Sequence, residues 1–200
     1  VAFGAYAQDD HAGHGAGGDA AAAYQSVVEK MHADMPMESS GDADVDFARG
    51  MIPHHQQAIA MSSQASTRAS SQEVKDLAAR IDQAQAPEIE QMNQMLEAWG
   101  APRPQPGSHS MPGMPRMPMG DMSMHGMMSD QQMQQLAAQS GSAFDRMFLQ
   151  MMIEHHSGAI QMAQAEQAQG LNPQAKELAG AIVSVQQREI TEMQALLSRV

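Results

Sequence analysis

A chain of 200 residues is long enough for one domain with a packed core, and its abundant Ala, Gln and Met with few aromatic residues (Phe 4, Tyr 2, Trp 1) favour an all-α fold. The formal net charge of −12 argues against nucleic acid or an anionic membrane as a partner, and no apolar run reaches the ~18 residues that a membrane span needs. With 21 Met, nine His and no Cys, the chain is rich in ligands that suit copper(I) and lacks thiols, which oxidise readily.

The first 35 residues predict export, a tail and one short helix. Residues 1–7 end in Ala-Tyr-Ala, which is typical of a signal-peptide cleavage site and indicates a periplasmic or otherwise exported protein. Residues 8–19 are rich in Gly, Asp and His and predict a disordered tail, whose His11 and His14 are candidates for copper(II). Apolar spacing over 20–35 predicts a short helix.

Two long helices are predicted next. The first begins at Asp44 or Asp46 as N-cap and runs to about Ala69. The pattern Ser70-x-x-Glu73 predicts a capping box that begins the second, which continues to about residue 99.

A Pro/Gly/Met linker separates this pair from a second one. Ser129 is predicted to cap a short helix to about Ser140, a long helix spans about 142–169, and Asn172-Pro173 begins the last helix. The predicted organisation is a signal-peptide remnant (1–7), a disordered His/Gly tail (8–19), a short helix plus first helix pair (20–99), a Met-rich linker (100–128), and a short helix plus second helix pair (129–200).

The two helix pairs are copies of one unit. A shift of 101 positions places residues 46–99 on 147–200 without a gap, and 17 of the 54 aligned pairs are identical. Two helix pairs joined by a long linker predict one four-helix bundle.

Each copy carries an adjacent His-His pair framed by methionines. On a helical wheel His55 lies near the middle of the apolar arc, whereas His54 lies toward one edge beside Met61. Glu88 falls on the apolar stripe of the partner helix, where a carboxylate needs a polar partner such as an inward imidazole. The second copy repeats the pattern, with Glu189 in place of Glu88. A single buried His is more often structural, but two matching pairs favour metal ligation. The candidate ligands on the helices are Met51, His54, His55, Met61, Met92, Met151, Met152, His155, His156, Met162 and Met193, with Glu88 and Glu189 either orienting the imidazoles or ligating directly.

Methionines outside the predicted long helices form a second group of candidates. Met in a Pro/Gly-rich segment is not explained by core packing, and flexible thioether arrays can wrap copper(I) or silver(I). These candidates are Met31, His32, Met35, His109, Met111, Met114, Met117, Met119, Met122, Met124, His125, Met127 and Met128. A Met-rich spacer without function is the alternative.

The segment from Phe47 to Met61, FARGMIPHHQQAIAM, resembles the signature of the domain of unknown function 305 family, and Phe148 to Met162 resembles it again. The resemblance implies a ferritin-like four-helix bundle and kinship with periplasmic copper-binding proteins of the CopM type. It carries over Met51, His54, His55 and Met61 with their counterparts Met152, His155, His156 and Met162 as ligands. Glu154 replaces Pro53 in the second copy, which weakens the match there.

The expected function is therefore a periplasmic copper(I)/silver(I)-binding protein for sequestration, trafficking or resistance, acting with another envelope copper protein or an efflux system and without turnover. One alternative is a ferritin-like oxidase of copper(I) or iron, although that chemistry uses repeated Glu-x-x-His motifs, and here Glu29-Lys30-Met31-His32 is the only such spacing. The other alternative is a structural interaction module.

Overall fold

The computed structural model describes residues 40–104 and 124–200, which form helices and no strand. The described elements are α1 (Ala43–Ser62), α2 (Ala65–Arg68), α3 (Gln72–Ala98), a 3₁₀ turn (Met124–Gly126), α4 (Asp130–Ala138), α5 (Gly141–Gln169) and α6 (Pro173–Leu197). The predicted all-α class is confirmed, and none of the described helices is long and apolar enough to cross a membrane. The tail and the short helix predicted over 20–35 lie outside the described residues.

The four long helices pack as a bundle of two antiparallel pairs. Helix α1 packs on α3, and α5 packs on α6. The pairs meet chiefly where α1 crosses α5, with a smaller contact between α3 and α6. An isolated bridge between Ala69 and Gly141 holds the segment after α1 beside the start of α5, so α1 and α5 also run antiparallel. The predicted repeat thus folds as two equivalent halves around a pseudo-two-fold axis.

Each half caps a helix of the other half with a buried Asp. The Asp44 carboxylate, near the start of α1, accepts hydrogen bonds from the backbone N–H of Leu171 and Asn172 at the start of α6. Asp145, near the start of α5, accepts from the backbone N–H of Ser70 and Ser71 at the start of α3. The 101-residue shift relates Asp44 to Asp145 and also relates the two pairs of donors, so the caps are reciprocal.

These exchanged caps explain two errors in the predicted helix boundaries. Helix α1 has Asp42, not Asp44 or Asp46, as N-cap, because Asp44 points to the other half. The N-cap of α3 is Ser71, whose hydroxyl accepts from the Val74 N–H, and not Ser70. The Ser70 hydroxyl instead donates to Asp145, so the predicted Ser70-x-x-Glu73 box is wrong.

Other boundaries differ less from expectation. The first helix ends at Ser62 and is followed by the single turn α2, rather than running to Ala69. The predicted caps Ser129 and Asn172, with Pro173 as the first residue of α6, are confirmed. The linker was predicted to hold no regular structure, yet its last residues include the 3₁₀ turn, which packs against α5.

The bundle interior is divided into two apolar clusters. One combines the second half of α1 and first half of α5, including Met61, Leu77, Phe148 and Met193. The other joins the opposite ends of the same helices, including Met51, Met92 and Leu178. Between them, at the middle of α1, α3, α5 and α6, the buried residues are polar.

Candidate metal centre

The middle of the bundle is a polar layer that consists of four histidines, two glutamines and two glutamates. His54, His55, His155 and His156 are each at most 1% exposed, and Gln85 and Gln186 are each 3% exposed. The glutamates, Glu88 and Glu189, are about one turn beyond the glutamines on α3 and α6 and are partly exposed. The repeat brings all eight together, because each half contributes two histidines, one glutamine and one glutamate.

Two of the histidines are held by carboxylates. His55 Nε2 donates to Glu88 Oε2 at 2.7 Å, and His156 Nε2 donates to Glu189 Oε2 at the same distance. The placement of Glu88 and Glu189 against inward imidazoles agrees with the helical-wheel prediction. In both histidines Nδ1 is buried and has no hydrogen-bond partner among the described residues.

The other two histidines meet each other across the two halves. The ring centroids of His54 and His155 are 3.8 Å apart, with an angle of 44° between the ring planes. The wheel placed these residues at the edge of the apolar arc, and because the edges of α1 and α5 face each other in the bundle, both rings are buried. Neither ring nitrogen of His155, nor Nδ1 of His54, has a hydrogen-bond partner among the described residues.

Burial keeps this pair neutral. The pKa of His54 is lowered to about 3, chiefly by desolvation and in addition by the neighbouring imidazoles, while the bond to the His125 carbonyl acts in the opposite direction. Desolvation and the imidazoles of His54, His156 and His55 also hold the pKa of His155 well below its usual value. A neutral imidazole has one nitrogen lone pair, which is the form that binds a metal ion. At neutral pH each imidazole of this buried pair therefore has one nitrogen lone pair available.

A short segment, residues 125–128, lies across this pair and is called the strap below. His54 Nε2 donates to the backbone carbonyl of His125 at 2.9 Å, which leaves the lone pair of His54 on Nδ1. The Gln57 side chain holds Met128 at both backbone positions, with Nε2 donating to its carbonyl (2.8 Å) and Oε1 accepting from its N–H (2.6 Å). His155 makes no bond to the strap, so the strap distinguishes two histidines that the repeat makes equivalent.

Two glycines allow the strap to lie this close to α5. A Cβ added at Gly158 would overlap the His125 carbonyl group, and one added at Gly126 would overlap the Glu154 carbonyl oxygen. Gly126 also has φ of +78°, and His125 before it has φ of +49°, a left-handed conformation that residues other than glycine adopt rarely. The backbone of the strap is therefore in direct contact with the backbone of α5.

The methionines predicted as ligands on the helices are mostly buried in the apolar clusters. Met51 and Met92 belong to one cluster, with Met162 packed against it. Met61, Met151, Met152 and Met193 belong to the other, together with Met128 of the strap. These packing positions account for the residues as core, and ligation by them stays a prediction.

Several predicted ligands lie outside the described residues: Met31, His32, Met35, His109, Met111, Met114, Met117, Met119 and Met122, with the copper(II) candidates His11 and His14. Among the described residues, no three His, Asp or Glu side chains are grouped so that they could hold one metal ion. A site in this part of the chain would therefore use two imidazoles, or imidazole with thioether sulfur.

Sequence reasoning missed the roles of six residues that shape the layer or its surroundings. Gln85 and Gln186 were identical in the repeat and close to the apolar stripe, a sufficient signal for a buried polar role. Gln57 and Gly158 occupy equivalent positions but differ. The sequence shows this difference, whereas its role, with Gln57 bonding to the strap and Gly158 leaving space for it, is visible only in the structure. The identity of Asp44 and Asp145 was a further signal of a shared role, two residues before the aligned repeat.

Comparison with known proteins agrees with this architecture. The family model described as Domain of unknown function (DUF305) matches residues 44–197. No curated protein matches the chain.

Three solved structures are similar over most of their length. A candidate secreted DUF305 protein from Streptomyces coelicolor is 34% identical, with TM-score 0.69, covering 80% of this chain and 94% of that one. A DUF305 fragment from Deinococcus radiodurans is 30% identical, with TM-score 0.67, covering 79% and 97%. CopM in its Cu(II)-bound form is 31% identical, with TM-score 0.65, covering 78% and 96%, and CopM has also been solved with Cu(I) and with Ag.

Proposed function

We propose that this chain, which belongs to the DUF305 family, is an exported protein that binds copper(I) and silver(I) and sequesters or carries them without turnover. The observation that carries the proposal is the contact between His54 and His155, two neutral imidazoles with unpaired ring nitrogens in a buried site. A buried polar atom without a partner costs about 1–3 kcal/mol, and a bound cation would satisfy several at once.

The chemistry of the donors favours a soft ion. Imidazole nitrogen and thioether sulfur suit copper(I), whereas hard divalent ions prefer several oxygens. The binding of Cu(I), Cu(II) and Ag by CopM, about 30% identical to this chain, supports the same class of cargo. A di-iron oxidase would need several clustered carboxylates, and the described part of the chain offers no such group.

The proposed division of labour has two parts. The bundle pair His54 and His155 binds one ion tightly, and the Met-rich linker collects ions by its thioethers. Glu88 and Glu189 hold His55 and His156 in place, as carboxylates often orient histidines near a metal. Another envelope copper protein or an efflux system would receive the ion.

Anaerobic titration with copper(I) and with silver(I), read by X-ray absorption, tests the proposal. We expect the wild type to show nitrogen as well as sulfur neighbours around the ion, and the double variant H54Q/H155Q to lose the nitrogen signal and one equivalent of ion. A control in which Met111, Met114, Met117, Met119 and Met122 are replaced by Leu should keep the nitrogen signal.

The proposal would be wrong if H54Q/H155Q, folded by circular dichroism, bound as many ions with the same nitrogen signal. Oxygen consumption on addition of copper(I) to the wild type would instead support the oxidase alternative.

A further inference from the structure

We propose that the strap, residues 125–128, is a removable cover that controls the rate at which a metal ion reaches or leaves the His54–His155 pair. This inference rests on the proposed function and adds to it a route and a means of control. It concerns the described residues of the strap and not the segment before them.

The two rings of the pair are closed off from solvent. His54 is 1% exposed and His155 is 0% exposed, so an ion from solution cannot contact either ring without a movement of the surrounding chain. The two rings belong to the long helices α1 and α5, which pack on each other and on α3 and α6. The strap is the one described element at the pair that is not part of such a helix, and Gly126 and Met127 in it are partly exposed.

The strap is attached by side-chain hydrogen bonds. Gln57 Nε2 donates to the Met128 carbonyl, the Met128 N–H donates to Gln57 Oε1, and His54 donates to the His125 carbonyl. Breaking these bonds exposes polar groups to water and leaves the helix backbone bonds intact, so local opening costs less than separating the helices. Release of the strap also takes the Met128 side chain out of its apolar cluster, but it requires no long helix to move.

The strap is also coupled to one of the candidate ligands, His54. His54 can donate from Nε2 to the strap only while Nε2 carries the proton, which leaves Nδ1 as its ligand nitrogen. An attached strap therefore fixes both the tautomer and the ring orientation of His54. The same contact that covers the site also prepares one of its ligands, so the closed strap should slow release of an ion as well as its entry.

Gly158→Ala is the sharpest test, because the added methyl group must displace the His125 carbonyl while Ala favours the helix more than Gly. Gln57→Leu removes two bonds to the strap without touching a histidine. Gly180→Ala on α6 is the matched control, since its Cβ would meet only the end of the flexible Gln167 side chain, at 3.1 Å.

The first readout needs no metal. Modification of His54 and His155 by diethyl pyrocarbonate, followed by peptide mass spectrometry, should be about fivefold or more faster in Gly158→Ala and Gln57→Leu than in the wild type. This magnitude follows from about a fivefold change in the opening equilibrium for each lost hydrogen bond. Gly180→Ala should react at the wild-type rate. Equal modification rates in all four proteins would contradict the proposal that the strap covers the pair.

The second readout is transfer of silver(I) into the protein and from the loaded protein to a chelator. Both rates should rise in Gly158→Ala and Gln57→Leu by factors similar to those for histidine modification. If modification accelerates but silver(I) exchange does not, the ion uses another route and the inference is wrong. If the wild type binds no silver(I) through nitrogen, the proposed function fails instead, and the modification rates still report whether the strap covers the pair.

Discussion

The burial of a histidine depends on its neighbours in the bundle as well as on its position around its own helix. The phase of α1 placed His55 inward, and its bond to Glu88 agrees with that expectation. The phase also placed His54 at the edge of the apolar arc, but an edge becomes interior when a second helix and a strap pack over it. A wheel describes one helix in isolation, so it could not reveal that His54 contacts His155.

Glu166 is the buried acid that the repeat does not share, because its equivalent position is Ala65. It is 2% exposed and lies beside Asp44, with Asp42 and Lys176 as the other charged groups that influence it. Burial, together with the interaction with Asp44, raises the pKa of Glu166 to about 7 from its usual value near 4.5. Asp44 itself is held below its usual pKa, because backbone N–H bonds from Asn172 and Leu171, together with Glu166, outweigh the effect of its own burial.

This raised pKa predicts how stability depends on pH. Between about pH 4.5 and 7 the folded state holds a proton on Glu166 that the unfolded state has lost, so this residue's contribution to stability falls as pH rises and is constant above about 7. Glu166→Gln removes that loss. As pH rises over this range, we therefore expect the variant to gain stability relative to the wild type, by up to roughly 3 kcal/mol in the free energy of unfolding.

Urea unfolding of both proteins at several pH values measures this difference. Effects of the buried histidines cancel because both proteins contain them. Gln167→Ala, at the next position of the same helix, is the control and should show no such trend. A difference that is independent of pH would contradict a raised pKa at Glu166.

At the scale of helices, the sequence predicts existence and order well and predicts ends poorly. All four long helices and α4 were expected from apolar spacing, and Ser129 and Asn172 were recognised as caps. The errors at α1 and α3 have one cause. Asp44 and Ser70 are good local caps by their chemistry, but each forms its bonds across the two halves, which local sequence cannot show.

Asp145 should therefore contribute more to stability than an exposed Asp. It is 1% exposed and accepts from two backbone N–H groups and the Ser70 hydroxyl. Asp145→Ala would remove the charged acceptor of all three hydrogen bonds, and we expect a loss of about 1–3 kcal/mol in the free energy of unfolding. The control is Asp76→Ala on the exposed face of α3, where the expected change is within about 0.5 kcal/mol. Equal effects of the two substitutions would show that the exchanged cap contributes little.

At the scale of the molecule, the repeat predicted the bundle but not how its halves depend on each other. The identical residues found at a shift of 101 positions indicate that the two units share a fold. They do not show which helices of the two units are in contact. The antiparallel contact of α1 with α5 follows from tertiary packing, and it produces both the His54–His155 pair and the reciprocal caps. The strap was missed because its Pro/Gly/Met-rich surroundings indicate irregular structure without indicating where that structure lies.

Reciprocal caps predict that the halves unfold together. Trp99, the only tryptophan, follows α3 and reports on the first half, whereas far-ultraviolet circular dichroism reports on all helices. We expect the two signals to give coincident urea transitions, and Asp145→Ala to shift both by the same amount although Asp145 lies in the second half. Separate transitions, or a shift in only one signal, would mean that each helix pair is stable alone.

The strap has a consequence for how such a chain can evolve. A segment that crosses a two-fold axis can lie there only once, so in a dimer of identical helix pairs two straps would compete for one place. Gln57 and Gly158 occupy the same position in the two copies, yet one fastens the strap and the other makes room for it. Because both copies lie in one chain, they are free to differ at this position, which identical subunits of a dimer are not. An asymmetric cover over the histidine pair therefore requires the single-chain arrangement.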